Sequence, residues 1–289
     1  MEKKRKRSLV FIIITALIFA GLSSGQNQPD AVKLEFSPAP GTNLVYSLNS
    51  LIRVDGKDFL GKDMTLGGTA AGEIRLLVDQ ISTEQVFTSL TSPGIQVTVN
   101  TLDRTEDYVV GTKEGAALQV IFSRGGRVDD IRNPEVLRNQ NVMNFSIPDI
   151  LRNYFPALPE NPVRVGDSWT EHKRLVIPFQ GMNLDAQLDI RFTLNSFQRS
   201  QAVRTAVISA DYTVSLAGSR DLEGLAGLFK GKGTGSGVLY FLVDEHYFSE
   251  YRLEYKIGAS LEIKKGETTL MEWPLGLVVS ASLDLAGGR

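Results

Sequence analysis

From Leu44 onward the chain alternates apolar and polar residues at a period of two. Leu44, Tyr46, Leu48, Ile52 and Val54 share one side of an extended segment, with Asn43, Ser47, Asn49 and Arg53 on the other. Successive side chains of a strand point to opposite faces, so this pattern predicts a strand with one buried face. After a Gly- and Asp-containing stretch, Ile74, Leu76 and Val78 alternate with Glu73, Arg75 and Asp79. Shorter runs follow at 84–90, 94–100, 106–111 and 117–123, separated by Pro93-Gly94, Gly111 and Gly125-Gly126. Strands this close in sequence are most simply joined as an antiparallel meander.

The pattern then changes. Pro134 suits a first helical position with Asn133 as cap, which predicts a helix over 134–143. A second short helix is expected from Pro148, with Ile150, Leu151, Tyr154 and Phe155 on one side, ended by Pro156, Pro159 and Pro162. Strands resume beyond this Pro-rich connector. Leu184, Ala186, Leu188, Ile190, Phe192 and Leu194 alternate without a break, as do Ile208, Ala210, Tyr212, Val214 and Leu216. Residues 220–229 place Leu222, Leu225, Leu228 and Phe229 at helical spacing behind Ser219, which predicts one more short helix. A Gly-rich segment, 231–237, precedes further strands around Tyr247–Ile257, Leu261–Ile263 and Leu277–Leu285.

The expected fold is therefore mainly β: a large curved antiparallel sheet, half-barrel or barrel-like and weakly duplicated, with a short central helical insert. The segments read as a leader (1–25), a linker (26–42), a first β-rich half (43–132), the insert and connector (133–164) and a second half (165–289). Each strand has one apolar face, and a sheet of a dozen such strands must cover that face or close on itself. The helical segments within 134–155 and 220–229 cover only part of it. Either the remainder packs solidly, as small barrels do, or a hollow lies beneath the helical insert. Leu151, Phe155, Leu188, Ile190, Phe192 and Tyr212 are the candidate lining residues of such a hollow.

Residues 3–7 are Lys-Lys-Arg-Lys-Arg, 9–22 are almost continuously apolar, and Ser23-Ser24-Gly25 follow. A basic head, a short apolar stretch and small residues form a secretory signal. Fourteen residues are short for a membrane span, which needs about 20. Export to the periplasm or the exterior is the expectation, whether the signal is cleaved or kept as an anchor. No later stretch is long enough to span a bilayer. The chain carries 31 Lys+Arg against 33 Asp+Glu; without residues 1–25 the balance is 26 against 32, a net of −6. A mildly acidic chain lacks the basic footprint of a nucleic-acid binder. There is no cysteine, so disulfides, thiolate metal sites and a thiol nucleophile are excluded, as is a lipid anchor on cysteine.

Chemistry is sparse. His172 and His246 have no partner at a metal-ligand spacing, and each reads as an exposed polar side chain. No Gly-x-Ser-x-Gly elbow is present. Gly231-Lys232-Gly233-Thr234-Gly235-Ser236-Gly237 lacks phosphate-loop spacing and leads into a strand. It reads as a hairpin, or as a strand whose missing side chains admit close packing. Asp129-Asp130 and Asp244-Glu245 are neighbours that would point to opposite faces, and suit turns. No metal, cofactor or catalytic set is expected.

The most specific string runs from Phe155 to Trp169, Phe-Pro-Ala-Leu-Pro-Glu-Asn-Pro-Val-Arg-Val-Gly-Asp-Ser-Trp. Its prolines fix an extended crossing, Gly166-Asp167 makes a turn, and Trp169 is placed to anchor the next strand. The string resembles one found in uncharacterised exported bacterial β-rich proteins, where it joins two β-rich halves. Those proteins often carry a lipobox, which this cysteine-free chain lacks. More distantly, the layout looks like that of LolA- and LppX-type carriers, a resemblance that implies a lipid or lipoprotein ligand. Two readings follow: a non-enzymatic envelope protein that binds an apolar or amphipathic ligand, or an assembly module that binds an envelope protein. The Tyr-rich strand 247–255 is the candidate contact patch for the second. An enzyme ranks last, because no cluster of polar groups converges in the sequence.

Overall fold

The alternation becomes strand pairing over most of the chain. The computed structural model describes residues 31–57, 61–101, 103–142, 145–179, 182–200, 203–222 and 224–288; the proposed signal lies outside them. A first meander comprises β1 (Asn43–Lys57), β2 (Asp63–Ile81), β3 (Gln85–Asn100), β4 (Thr105–Val110), β5 (Leu118–Ser123) and β6 (Val128–Arg132). The two-residue strands β7 (Asn141–Val142) and β8 (Phe145–Ser146) pair with each other and lead into the helix α1 (Ile147–Tyr154). A second meander comprises β9 (Ser168–Phe179), β10 (Met182–Ser200), β11 (Val203–Leu222), β12 (Leu225–Leu242), β13 (Tyr247–Lys265) and β14 (Thr268–Gly288).

All the pairings are antiparallel. They make one sheet of 12 strands in the order β6-β5-β3-β2-β1-β14-β13-β12-β11-β10-β9, with β4 on β3. The meanders join because β1 pairs with β14, Tyr46 opposite Leu285 and Val54 opposite Leu277. The two β-rich halves thus share one sheet, and residues 32–289 form a single unit. The sheet is not closed; β6 and β9 stand at its two ends.

One end of the inward face is tied shut by two straps. Val32 pairs with Val163, the Phe36 N–H donates to the Arg124 carbonyl (2.8 Å), and the Leu158 N–H donates to the Gly125 carbonyl (2.7 Å). The Ser37 N–H reaches the His246 carbonyl (3.0 Å) in the β12–β13 turn. Between the straps, Phe36 lies 4.9 Å from Phe122, and Phe122 lies 5.0 Å edge-on to Phe155. Leu34 and Phe36, in the entry segment read as a linker, are buried here with Leu44, Tyr46 and Ile74. Each such side chain contributes about 1.5–3 kcal/mol by leaving water.

Two helix expectations are corrected. Of the segment 134–143, described as far as 142, only Pro134–Val136 turns, as a single 3-10 turn. Asn133 stands at its N-cap, its carbonyl accepting from the Val136 N–H, but its side chain makes no cap bond; the amide instead donates to the Ala117 carbonyl and accepts from the Gln119 N–H. Leu137 is extended and bridges to Thr112, so sheet pairing takes the residues a helix would need. Over 220–229 there is no helix. Leu222 and Leu225 face each other across the β11–β12 turn, with Gly224 at φ +90°. Phe229 is buried inward, whereas Leu228 lies on the opposite face. The helical spacing was the by-product of a hairpin. The helix expected from Pro148 forms as α1, with Ser146 as its cap, accepting from the Asp149 N–H.

Candidate functional site on the inward face

The Gly-rich segment is strand β12, so of its two readings the close-packed strand is the one observed. Gly231, Gly233, Gly235 and Gly237 all fall on the inward face, opposite Ala259, Ile257, Tyr255 and Leu253 of β13. A Cβ at Gly235 would stand 2.3 Å from the Tyr255 Cβ and 2.4 Å from the Glu254 carbonyl oxygen. At Gly237 it would meet the Tyr212 ring and hydroxyl at 3.2 and 3.3 Å. The glycines let Tyr212 of β11 lie across β12 and reach Tyr251 of β13, where the two hydroxyls are 2.6 Å apart.

Register places three successive inward rows across β3, β2, β1, β14 and β13. The first is Ile95, Gly72, Leu48, Leu283 and Tyr251. The second is Val97, Ala70, Ser50, Ala281 and Leu253. The third is Val99, Gly68, Ile52, Val279 and Tyr255. Leu283 and Tyr251 of the first row are buried, and Ile52 of the third is 44% exposed. The second row is half-buried throughout and built of small residues at its centre. It forms a shallow transverse trough about 19 Å long, from four inter-strand spacings of about 4.8 Å. It ends at Leu253, beside Gly237 and the Tyr212–Tyr251 pair.

The carboxyl-terminal end of α1 overlies the first row. Tyr154 packs edge-on to Tyr251 at 6.4 Å and donates its hydroxyl to the Ser282 carbonyl (3.2 Å). Lys173 of β9 holds the helix end from below, donating to the Asn153 and Phe155 carbonyls, both at 2.8 Å. Beside it the buried Glu171 carboxylate accepts from the Ala157 N–H (3.1 Å) and lies 3.6 Å from the Lys173 ammonium. Burial pushes the Lys173 ammonium below the usual lysine range, against the opposing pull of Glu171. Burial also pushes the hydroxyls of Tyr154, Tyr212 and Tyr251 well above the usual tyrosine range, and that of Tyr255 up to about 12. All four are therefore protonated donors at neutral pH.

The six residues expected to line a hollow come together, but as core. Phe192, Ile190, Tyr212, Phe155 and Leu188 are between 0% and 9% exposed in one continuous cluster, with Leu151 packed against it. Tyr212 alone among them also borders the open trough. The trough residues Leu48, Ile52, Ile95 and Val97 were visible as alternating strand positions. Their exposure was not, because alternation gives faces and not neighbours. The Tyr-rich strand points its tyrosines inward, Tyr247 and Tyr251 buried and Tyr255 half-buried, so it is not an exposed patch.

Trp169 stacks on Phe192 at 5.5 Å and donates to the Ala157 carbonyl (2.9 Å). His172 is exposed beside Asp189, as expected; His246 instead sits in a turn at φ +63° with a buried Nδ1 that has no partner among the described residues. A groove of about 680 Å³ runs along the second row, lined by Ser50, Ala70, Leu253, Ala281 and Gly237 together with their outward-pointing neighbours, among them Asn49, Thr69 and Glu254. No group of His, Cys, Asp and Glu among the described residues is arranged to hold a metal.

No protein-family description matches the chain, and no curated protein does. Among solved structures it is similar to OccK2 (OpdF) of Pseudomonas aeruginosa in complex with glucuronate, at 9% identity and a TM-score of 0.25. That match covers 85% of this chain and 98% of the other. OccK5 (OpdH) of the same organism matches at 7% identity and a TM-score of 0.23, covering 86% and 99%. OccAB4 of Acinetobacter baumannii matches at 7% identity and a TM-score of 0.20, also covering 86% and 99%. Scores this low carry no argument about fold or activity.

Proposed function

We propose that the chain is an exported, non-enzymatic envelope protein that holds an apolar or amphipathic ligand against the inward face of its sheet. The observation that carries this is the half-buried second and third rows, with Ile52 at 44% exposure on a face that is otherwise core. Apolar surface left in water on an inward face is stabilised by an apolar ligand at about 25 cal/mol per Å² covered. The floor of small residues, Ala70, Ser50 and Ala281, keeps the trough open rather than filled. The leader-like residues 1–25 and the resemblance to exported carriers support the location and the ligand class.

Native mass spectrometry of residues 26–289, purified gently from the envelope, tests the reading. The expected result is a reproducible extra mass that organic extraction identifies as lipid. The variant Ile52→Glu puts a charge into the third row at an already exposed position. It should lose that mass while melting within a few degrees of the parent. A bare parent chain that takes up nothing after incubation with lipid vesicles would redirect the function to an assembly module. The unpaired outer edge of β9, with Val176 at 65% exposure, would then be the contact to map.

A further inference from the structure

The Tyr212–Tyr251 pair contains two hydroxyl protons and one mutual hydrogen bond. Neither hydroxyl has another hydrogen-bond partner among the described residues, so one O–H of the pair has no acceptor. Both residues are buried, at 3% and 5% exposure. A buried donor without an acceptor is destabilising, and such groups are rare enough to need a reason. The fold also goes to some length to place this pair. Tyr212 crosses β12 over Gly237, where a Cβ would press on its ring and hydroxyl, and it meets Tyr251 at the end of the small-residue row.

We infer that this hydroxyl pair binds the polar end of an acyl ligand, donating to a neutral carbonyl oxygen of an ester or amide while the acyl chain lies along the second row. This rests on the apolar-ligand reading above and adds the ligand's chemical class. A carbonyl oxygen supplies the acceptor the pair lacks. A free carboxylate fits less well. Lys173, a buried cation of the inward face, is already committed to two backbone carbonyls and stands beside Glu171, so it supplies no uncompensated positive charge to the site. Burying an unpaired anion costs far more than burying a neutral carbonyl that gains a hydrogen bond. The geometry also fixes direction: polar end at Leu253 and the tyrosines, chain end towards Val97 on β3.

The test is displacement of N-phenyl-1-naphthylamine, an apolar fluorescent probe with no carbonyl, from the chain lacking residues 1–25. The competitors are a monoacylglycerol and the free fatty acid of the same chain length, at neutral pH. The monoacylglycerol should compete more strongly than the fatty acid. Tyr212→Phe and Tyr251→Phe should each weaken it about five-fold, the equivalent of one net hydrogen bond, while probe affinity stays within two-fold. Tyr46→Phe removes a buried hydroxyl that donates to the Phe248 carbonyl, remote from the row. It should lower the melting temperature without changing the competition. If the probe binds but both tyrosine variants compete like the parent, or the fatty acid competes more strongly, the hydroxyl assignment is overturned and the apolar trough stands. If neither probe nor monoacylglycerol binds the parent, the ligand-binding reading itself fails.

Discussion

Lys173 shows what a single buried charge does in this sheet. It lies on an end strand, points inward and is nearly out of water, yet its ammonium donates to two carbonyls at the end of α1 and stands 3.6 Å from Glu171. These are carbonyls that no intrahelical bond can satisfy, and a cation there also meets the negative end of the helix dipole. The contact therefore joins an end strand to the helical insert. Replacing the lysine by an apolar residue of similar length leaves Glu171 buried beside two unsatisfied carbonyls. Lys173→Met should cost about 3 kcal/mol in chemical denaturation, the range for breaking one side of a buried ion pair. Hydrogen exchange should quicken first over 147–155. A variant as stable as the parent, with α1 equally protected, would show that the helix is held by packing of Leu151 and Tyr154 alone.

At the scale of elements, β12 is the strand on which the inward face depends. Its glycines sit where neighbouring backbone approaches too closely for a side chain. A Cβ at Gly233 would stand 2.1 Å from the Lys256 carbonyl oxygen, and at Gly235 2.3 Å from the Tyr255 Cβ. Gly258, on the facing strand, has nothing within 4 Å of the same position. Gly235→Ala should therefore destabilise the protein by about 3 kcal/mol or prevent folding, as overpacking against rigid backbone does. Gly258→Ala should stay within about 1 kcal/mol of the parent, because its conformation needs no glycine. Equal midpoints in a urea series would remove the close-packing account of β12.

The same strand marks what the sequence could reveal. The strands around Leu44, Ile74 and Leu184 were legible because alternation reports a face directly. The helix from Pro148 was legible because proline acts locally and Ile150, Leu151, Tyr154 and Phe155 fall on one side; its capping serine, Ser146, was not read. The false helix at 220–229 arose because Leu222, Leu225, Leu228 and Phe229 match helical spacing equally well when a tight turn separates them. Pairing of β1 with β14, which creates the trough, joins residues more than two hundred positions apart. No local pattern contains it. Tyr212 was read as a lining residue on the strength of its face alone. Its partner Tyr251 was out of reach, because the contact passes over an intervening strand.

Considered as a whole, the sheet has its polarity the opposite way round from a barrel that faces lipid. Inward positions carry the core, while outward positions carry ion pairs both within a strand and between neighbouring strands. Arg174 meets Asp185 at 2.7 Å, Arg252 lies 2.9 Å from Glu250 and 3.4 Å from Asp284, and Lys264 meets Glu262 at 2.8 Å. A barrel in a bilayer needs an apolar outward band, and each Arg or Lys at its middle costs about 2–4 kcal/mol. The described strands provide no such band at β10–β14, where the outward rows are mainly Asp, Arg, Ser, Thr, Lys and Glu, with Val207, Leu228, Val238, Tyr240 and Val278 interspersed among them. The chain from residue 26 onward should enter the aqueous phase when a detergent solution is warmed past its cloud point, and should be monodisperse without detergent. Transfer to the detergent phase would mean that the outward face is covered by something the charge pattern does not foresee. If the protein stays aqueous while retaining acyl ligand, the half-buried second and third rows of the inward face are the surface that accounts for the binding, since the exposed outward apolar residues, such as Leu51, Leu77, Val176 and Leu270, are dispersed among charged and polar ones.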